Sequence, residues 1–268
     1  MVRWVACLLA CACLAQRIPS SDFRKLSPED ATAFLTGFRN ARLNGDLCLR
    51  FEVIHKPRVG EASPAVRGTL WARSLPGGQV LRGELTDNAG RSALRFLTLK
   101  TGEERRTWVA LPDAPLRELD GGSALQALAP GLLLSPFDLQ LPFTHWPATE
   151  YVNTERRRRP ANIYLATNQS GGVPAKVSFA IDRVYGVLVE AVCFDAQDAK
   201  TRTLQVEEFS KVGDQWMLAA CSVRDESTRD VDLLRITEAA IDARLPAEVF
   251  EAGTLGRSAP QPTTFQKL

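Results

Sequence analysis

The chain has 268 residues, 45% of them hydrophobic and 24% charged, with 33 Lys and Arg against 31 Asp and Glu. Those proportions belong to a folded globular protein and exclude disordered, collagen-like and coiled-coil chains. The formal net charge of +2 gives no electrostatic case for nucleic acid as a partner, and no apolar run reaches the roughly 18 residues of a membrane-spanning helix.

The first residues, Met1-Val2-Arg3, an apolar stretch from Trp4 to Ala15, then Gln16 and Arg17, have the order of a secretory signal. Residues 1–15 are therefore read as a signal peptide, with cleavage after Ala15 or after Ala12. Leu8-Leu9-Ala10-Cys11 and Leu9-Ala10-Cys11-Ala12-Cys13 also resemble a bacterial lipobox, which makes Cys11 and Cys13 lipidation sites to consider. A lipid there would anchor the protein to a membrane instead of leaving it free between membranes.

Ser27-Pro28-Glu29-Asp30 opens a helix, with serine as cap, proline in the first turn and acids beside the positive helix end. Ala31, Phe34, Leu35 and Phe38 fall on one face, and Asn44-Gly45 is the expected stop. Strands follow, because apolar and polar residues now alternate: Leu47 to Ile54, Val66 to Arg73, Val80 to Leu85, Ser92 to Leu99 and Arg106 to Leu111. Short turns at Pro76-Gly77-Gly78 and Asp87-Asn88-Ala89-Gly90 imply antiparallel neighbours.

From Asp120 to Trp146 the chain is rich in Leu, Pro and Phe and poor in charge, as expected of short helical turns laid against a sheet. Strands then resume at Tyr151–Glu155, Ala161–Ala166, Ala175–Ile181, Gly186–Phe194, Thr203–Lys211, Gln215–Arg224 and Asp230–Thr237. Periodicity is lost from Ala247 onward, so 249–268 reads as a loose tail and 16–248 as one domain. The fold class expected is mainly β (α+β): a sheet curled around an N-terminal helix and a central helical plug or lid.

One constellation is more specific. Phe209-x-Lys211-Val212-Gly213-Asp214-x-Trp216-Met217 is followed by Arg224-Asp225, Thr228, Leu233 and Ile236, and preceded by Leu139, Leu141, Pro142, Phe143 and Trp146. This pattern resembles the bacterial outer-membrane lipoprotein-sorting protein family, of LolA/LolB-like fold. The resemblance implies an incomplete antiparallel β-barrel of about eleven strands with helices on its concave side, a periplasmic location, and lipoproteins or other acylated amphiphiles as ligands. Such a protein needs no cofactor and is expected to act as a monomer.

On that reading acyl chains rest on Leu49, Phe51, Leu70, Leu81, Leu85, Phe96 and Trp108. Leu134, Phe137, Leu141, Phe143 and Trp146 form a movable cover. Burial supplies the driving force, at about 0.8 kcal/mol per methylene. Each of these side chains is more often plain core, and they stand as candidates. Arg156-Arg157-Arg158-Arg159 is the one charge block; it suits a solvated hairpin turn, or contact with anionic lipid head groups or an acidic partner surface.

Two other function classes stay open: an envelope-anchored sensor or interaction module of the same fold, and an enzyme. The enzyme has least to stand on. There is no Gly-x-Ser-x-Gly turn to present a serine and no glycine-rich phosphate loop. His55 is expected exposed on a strand and His145 locally hydrogen-bonded, and neither has a partner at metal-ligand spacing. No catalytic or metal-binding residue is named. Cys193 and Cys221 fall on strands separated by the one carrying Val206, roughly 9–10 Å apart, beyond the about 7 Å reach of a disulfide. With Cys48 they are expected to be buried thiols.

Overall fold

In the computed structural model the described residues are 23–41, 45–76, 78–87, 90–101, 104–112, 114–119, 125–213 and 215–268. The segment 1–15 read as a signal peptide, with Cys11 and Cys13 considered for lipidation, and Asp214 of the hairpin motif lie outside them. Ser27 accepts a hydrogen bond from the Asp30 amide at 3.1 Å, and Pro28 begins helix α1 (Pro28–Arg39) with Glu29 and Asp30 in its first turn. The helix ends earlier than the sequence predicts: Asn40 donates its amide to Thr36 and Phe38 carbonyls and closes it. Gly45, at φ 68, instead turns the chain into the first strand.

Fourteen strands follow among the described residues, β1 (Asp46–Lys56), β2 (Val66–Leu75), β3 (Gly78–Thr86), β4 (Ser92–Thr101), β5 (Glu104–Ala110), β6 (Arg117–Leu119), β7 (Thr149–Arg157), β8 (Arg159–Thr167), β9 (Lys176–Asp182), β10 (Leu188–Phe194), β11 (Lys200–Val212), β12 (Gln215–Asp225), β13 (Val231–Ala243) and β14 (Gln266–Lys267). The expected count of about eleven is therefore too low. β6 and β14, of three and two residues, are too short to show alternation. In the apolar middle segment the structure forms helix α2 (Pro136–Gln140) and a 3-10 turn at Pro142–His145.

The chain divides into two compact units. The first comprises Met1–Arg42 and Leu141–Arg229, and its strands run β12-β11-β10-β9-β8-β7. The second comprises Leu43–Gln140 and Asp230–Leu268; its strands run β6-β5-β4-β3-β2-β1-β13, and β14 pairs with β13. Pairing within each is antiparallel. Among the described residues β6 pairs only with β5 and β7 only with β8, so each is an edge strand.

The motif residues are structural. Gly213, at φ 57, turns β11 into β12, where Val212 pairs with Gln215. The Asp225 carboxylate accepts the amides of Ser227 and Thr228 and the Ser227 hydroxyl, which fixes the turn that ends β12.

The segment expected as a loose tail is packed. Val249 and Leu255 are buried, and the Trp71 indole donates to the Pro260 carbonyl at 2.9 Å. The guanidinium of Arg82, which is only 1% exposed, donates to Val249 O, Thr254 O, Thr254 Oγ1 and Arg257 O. A buried arginine needs acceptors for its donors, and residues 249–257 supply them to both terminal nitrogens, Nη1 and Nη2. Burial lowers its proton affinity from the ordinary value.

Cys48, Cys193 and Cys221 are buried thiols outside any disulfide. Cys193 lies on β10 and Cys221 on β12 opposite Val206 of β11, the expected arrangement. Burial pushes the Cys48 thiol up to about 12.

Candidate functional site

In the second unit, register sorts the predicted ligand residues by face. Leu49 pairs with Leu70, Leu70 with Gly83, and Gly83 with Phe96; Phe51 pairs with Gly68, and Gly68 with Leu85; Ala72 pairs with Leu81. Because side chains alternate across a sheet, Leu49, Phe51, Leu70, Leu81, Leu85 and Phe96 form one contiguous apolar face. All six are buried. The Phe51 and Phe96 rings fill the spaces over Gly68 and Gly83, where an added Cβ would come within 2.6 and 2.1 Å of ring carbons.

Trp108 is not part of that face. It pairs with Leu97 on β4, next in the chain to Phe96, and so points to the other side. There it packs on Val80, Leu97, Ala110 and Leu255, alongside Phe250. The sequence reading misplaced it because Trp108 and Val109 offer either face of β5 an apolar side chain.

The chain itself covers part of the apolar face. Ser135 donates its amide and hydroxyl to Asp138 at 2.8 and 2.6 Å, capping α2. The Gln140 amide donates to Thr107 Oγ1 at 2.8 Å, and Thr107 pairs with Thr98, which shares the face of Phe96. Leu134 and Phe137 are buried in this segment.

Its other end is held by a feature the sequence reading missed. Asp232, 1% exposed, accepts the amides of Leu133 and Leu134 at 2.6 and 2.8 Å with one oxygen and contacts His55 Nδ1 at 2.8 Å with the other. His55 and Asp232 are cross-strand partners at the end of the apolar face. The expectation of an exposed His55 is corrected: its side chain is 17% exposed and engaged. The signal was present in β13, where Asp232 takes an inward position in the alternation Asp232, Leu234, Ile236.

In the first unit lie the remaining cover residues, of which Phe143 meets the face of Tyr164 and Phe179, themselves register partners. Phe143 meets Phe179 with ring centroids 5.4 Å apart, and the Tyr164 hydroxyl donates to Ala31 O of α1 at 2.9 Å. Burial raises the Tyr164 phenol. Leu141 and Phe143 are buried and Trp146 half-buried. Arg39 of α1 donates to Thr144 O, Trp146 O and Thr149 Oγ1 at 2.6, 3.2 and 3.1 Å, fixing the turn. His145 contacts Thr144 Oγ1 at 2.8 Å, the local bond expected for it.

The arginine block forms the β7–β8 hairpin, with Arg157 paired to Arg159 and Arg158 at the tip at φ 64. Most of its charge is already engaged. Arg156 lies over the Phe23 ring, Arg157 pairs with Glu155 and Glu190 at 2.9 Å each, and Arg159 pairs with Asp182 at 3.4 Å while covering Tyr185.

No known protein family matches the sequence, and no curated protein does. Solved structures share the fold. A DUF1329 family protein from Desulfovibrio piger superposes with a TM-score of 0.72 at 14% identity, covering 86% of this chain and 100% of its own. An outer membrane lipoprotein-sorting protein domain from Vibrio parahaemolyticus gives 0.69 at 14% identity, over 85% and 96%. A LolA superfamily protein from Nitrosomonas europaea gives 0.60 at 14% identity, over 84% and 98%. The likeness expected from the hairpin motif is thus found in the fold.

Proposed function

We propose that this protein is a cell-envelope carrier or binder of lipoproteins or other acylated amphiphiles, working by burial and not by catalysis. The observation that carries the reading is an apolar sheet face covered by a segment fastened at two polar points. Leu49, Phe51, Leu70, Leu81, Leu85 and Phe96 form the face; Asp232 holds one end of the segment and Thr107 the other. Two such fastenings are worth a few kcal/mol in total, about 1.5–3 for a charged hydrogen bond and about 1 for a neutral one. An acyl chain regains that much by burying about four or five methylenes at about 0.8 kcal/mol each. Release of the 132–140 segment, with Leu134 and Phe137, would open the face to a chain of ordinary length.

In the first unit, Leu141, Phe143 and Trp146 would form a corresponding cover over Tyr164 and Phe179. The structural likeness to an outer membrane lipoprotein-sorting domain supports the ligand class and a periplasmic location. Lipidation at Cys11 or Cys13 would make the same binder an anchored one. The arginine hairpin, with Arg157 and Arg159 already paired to carboxylates, is weakly suited to broad contact with an anionic membrane.

Native mass spectrometry of protein purified from the envelope without detergent tests the reading. An acylated species bound at one-to-one stoichiometry is the expected result. A protein that arrives empty and extracts no acylated species from vesicles would overturn it.

A further inference from the structure

The first unit holds a second concavity, on the face opposite to Tyr164 and Phe179. Ala180, next in the chain to Phe179, pairs with Glu190, and Glu190 pairs with Gln205. Along this row runs a pocket of about 320 Å3 that begins at the arginine hairpin and ends at Trp216. Its apolar lining includes Val187, Val189, Phe209 and Trp216. Val189 packs on a small buried cluster of Ala161, Ile163 and Ala180. Trp216 is 40% exposed, a large apolar side chain left open to water at the pocket mouth.

The polar lining is balanced but not uniformly satisfied. Arg157, Arg158 and Arg159 face Asp182, Glu190 and Glu207. Asp182 holds Arg159 and the amides of Val184 and Tyr185, Glu190 holds Arg157, and Glu207 takes the Ser222 hydroxyl at 2.6 Å. Arg158 differs: its hydrogen bond goes to a neutral acceptor, the Glu207 carbonyl, at 3.2 Å. A carboxylate is a stronger acceptor for a guanidinium than a carbonyl. With Arg157 and Arg159 matched to carboxylates, Arg158 is the lining cation that can still take a carboxylate, while Glu207, engaged only by the Ser222 hydroxyl, adds a negative charge that disfavours a dianion.

We propose that this pocket binds a single-chain carboxylate, its head on Arg158 and its chain along Val187, Val189, Phe209 and Trp216. Its volume stands at the lower end of small-molecule sites, about 300–1,000 Å3. A single saturated chain with a carboxylate head, such as decanoate, is the ligand of that class with which the site is probed. The site is independent of the covered apolar face in the second unit, and the proposal stands or falls separately from the carrier reading.

The test is a titration of the full chain, 15N-labelled at tryptophan, with decanoate below its micelle-forming concentration, the Trp216 indole resonance being assigned by W216F. The Trp216 resonance is expected to shift saturably with decanoate and to stay in place with decyltrimethylammonium. R158Q should weaken the apparent Kd at least tenfold, while R158K keeps it within about threefold. An unmoved Trp216, an equal response to the cation, or an unchanged Kd in R158Q would overturn the proposal. A shift confined to Trp71, Trp108 or Trp146 would also overturn it, while leaving the carrier reading intact.

Discussion

The ring of Phe96 lies across Gly83, its cross-strand partner on β3: a Cβ on Gly83 would sit 2.1 Å from Phe96 Cζ. The glycine is required by the space that the ring occupies, and Gly68 stands in the same relation to Phe51, at 2.6 Å. G83A should therefore overpack the face and cost about 1–3 kcal/mol. In urea unfolding, G83A/F96L should recover most of that loss, because the smaller side chain clears the added methyl. Simple additivity of the two losses would refute the pairing.

Asp232 accepts two amides and faces His55 from a buried position. D232N keeps the shape but puts an amide group where one carboxylate oxygen was. A loss of about 1.5–3 kcal/mol is expected. Hydrogen exchange at Leu133 and Leu134 should accelerate more than at the centre of β1, since the cover is released before the sheet. Uniform acceleration across the second unit would contradict a local fastening.

The Cys48 thiol, held up to about 12 by burial, should resist iodoacetamide at pH 8 in the folded chain and react on unfolding. The sign of its pH dependence follows from proton binding. The folded chain keeps the thiol proton above the ordinary thiol value of about 8.5, so this contribution is complete below that value. It is lost as pH rises toward about 12, with a slope of at most about 1.4 kcal/mol per pH unit. Comparing the wild type with C48A between pH 7 and 10.5 isolates it: the wild type should lose stability faster with rising pH.

Arg82 is enclosed by carbonyl oxygens of residues 249–257. R82M retains length and apolar bulk but leaves those acceptors without a donor, at an expected cost of about 2–4 kcal/mol. R82K should fall between, since an ammonium cannot reproduce the planar fork. Limited trypsin digestion should cut after Arg257 earlier in R82M than in the wild type. Equal rates would show that the tail is held by its apolar contacts alone.

The sheets were legible in the sequence wherever alternation was long and one-sided. Leu49, Leu70, Leu81, Leu85 and Phe96 fall on one face as expected because each belongs to a strand of nine or more residues with a regular inward set. Trp108 was misread because β5 has apolar side chains toward both faces, and only pairing with β4 decides between them. The tail was misread because Val249, Phe250 and Leu255 have no strand or helix period. They are buried or half-buried beside Arg82, a charge that sequence patterning assigns to the surface. The Asp232–His55 pair is separated by 177 residues, so no local window contains both.

Arg82 and the carbonyl of Val249 that it finally binds are 167 residues apart. A loop of that length must close before the contact rewards it. Until it closes, the strand face around Trp71 and Val80 has no roof. The first unit's β7–β12 meander lies between the two residues in the chain and can fold on near-neighbour contacts alone. The two halves of the molecule thus mature on different clocks, and the burial of one cation marks the moment when the slower one is finished.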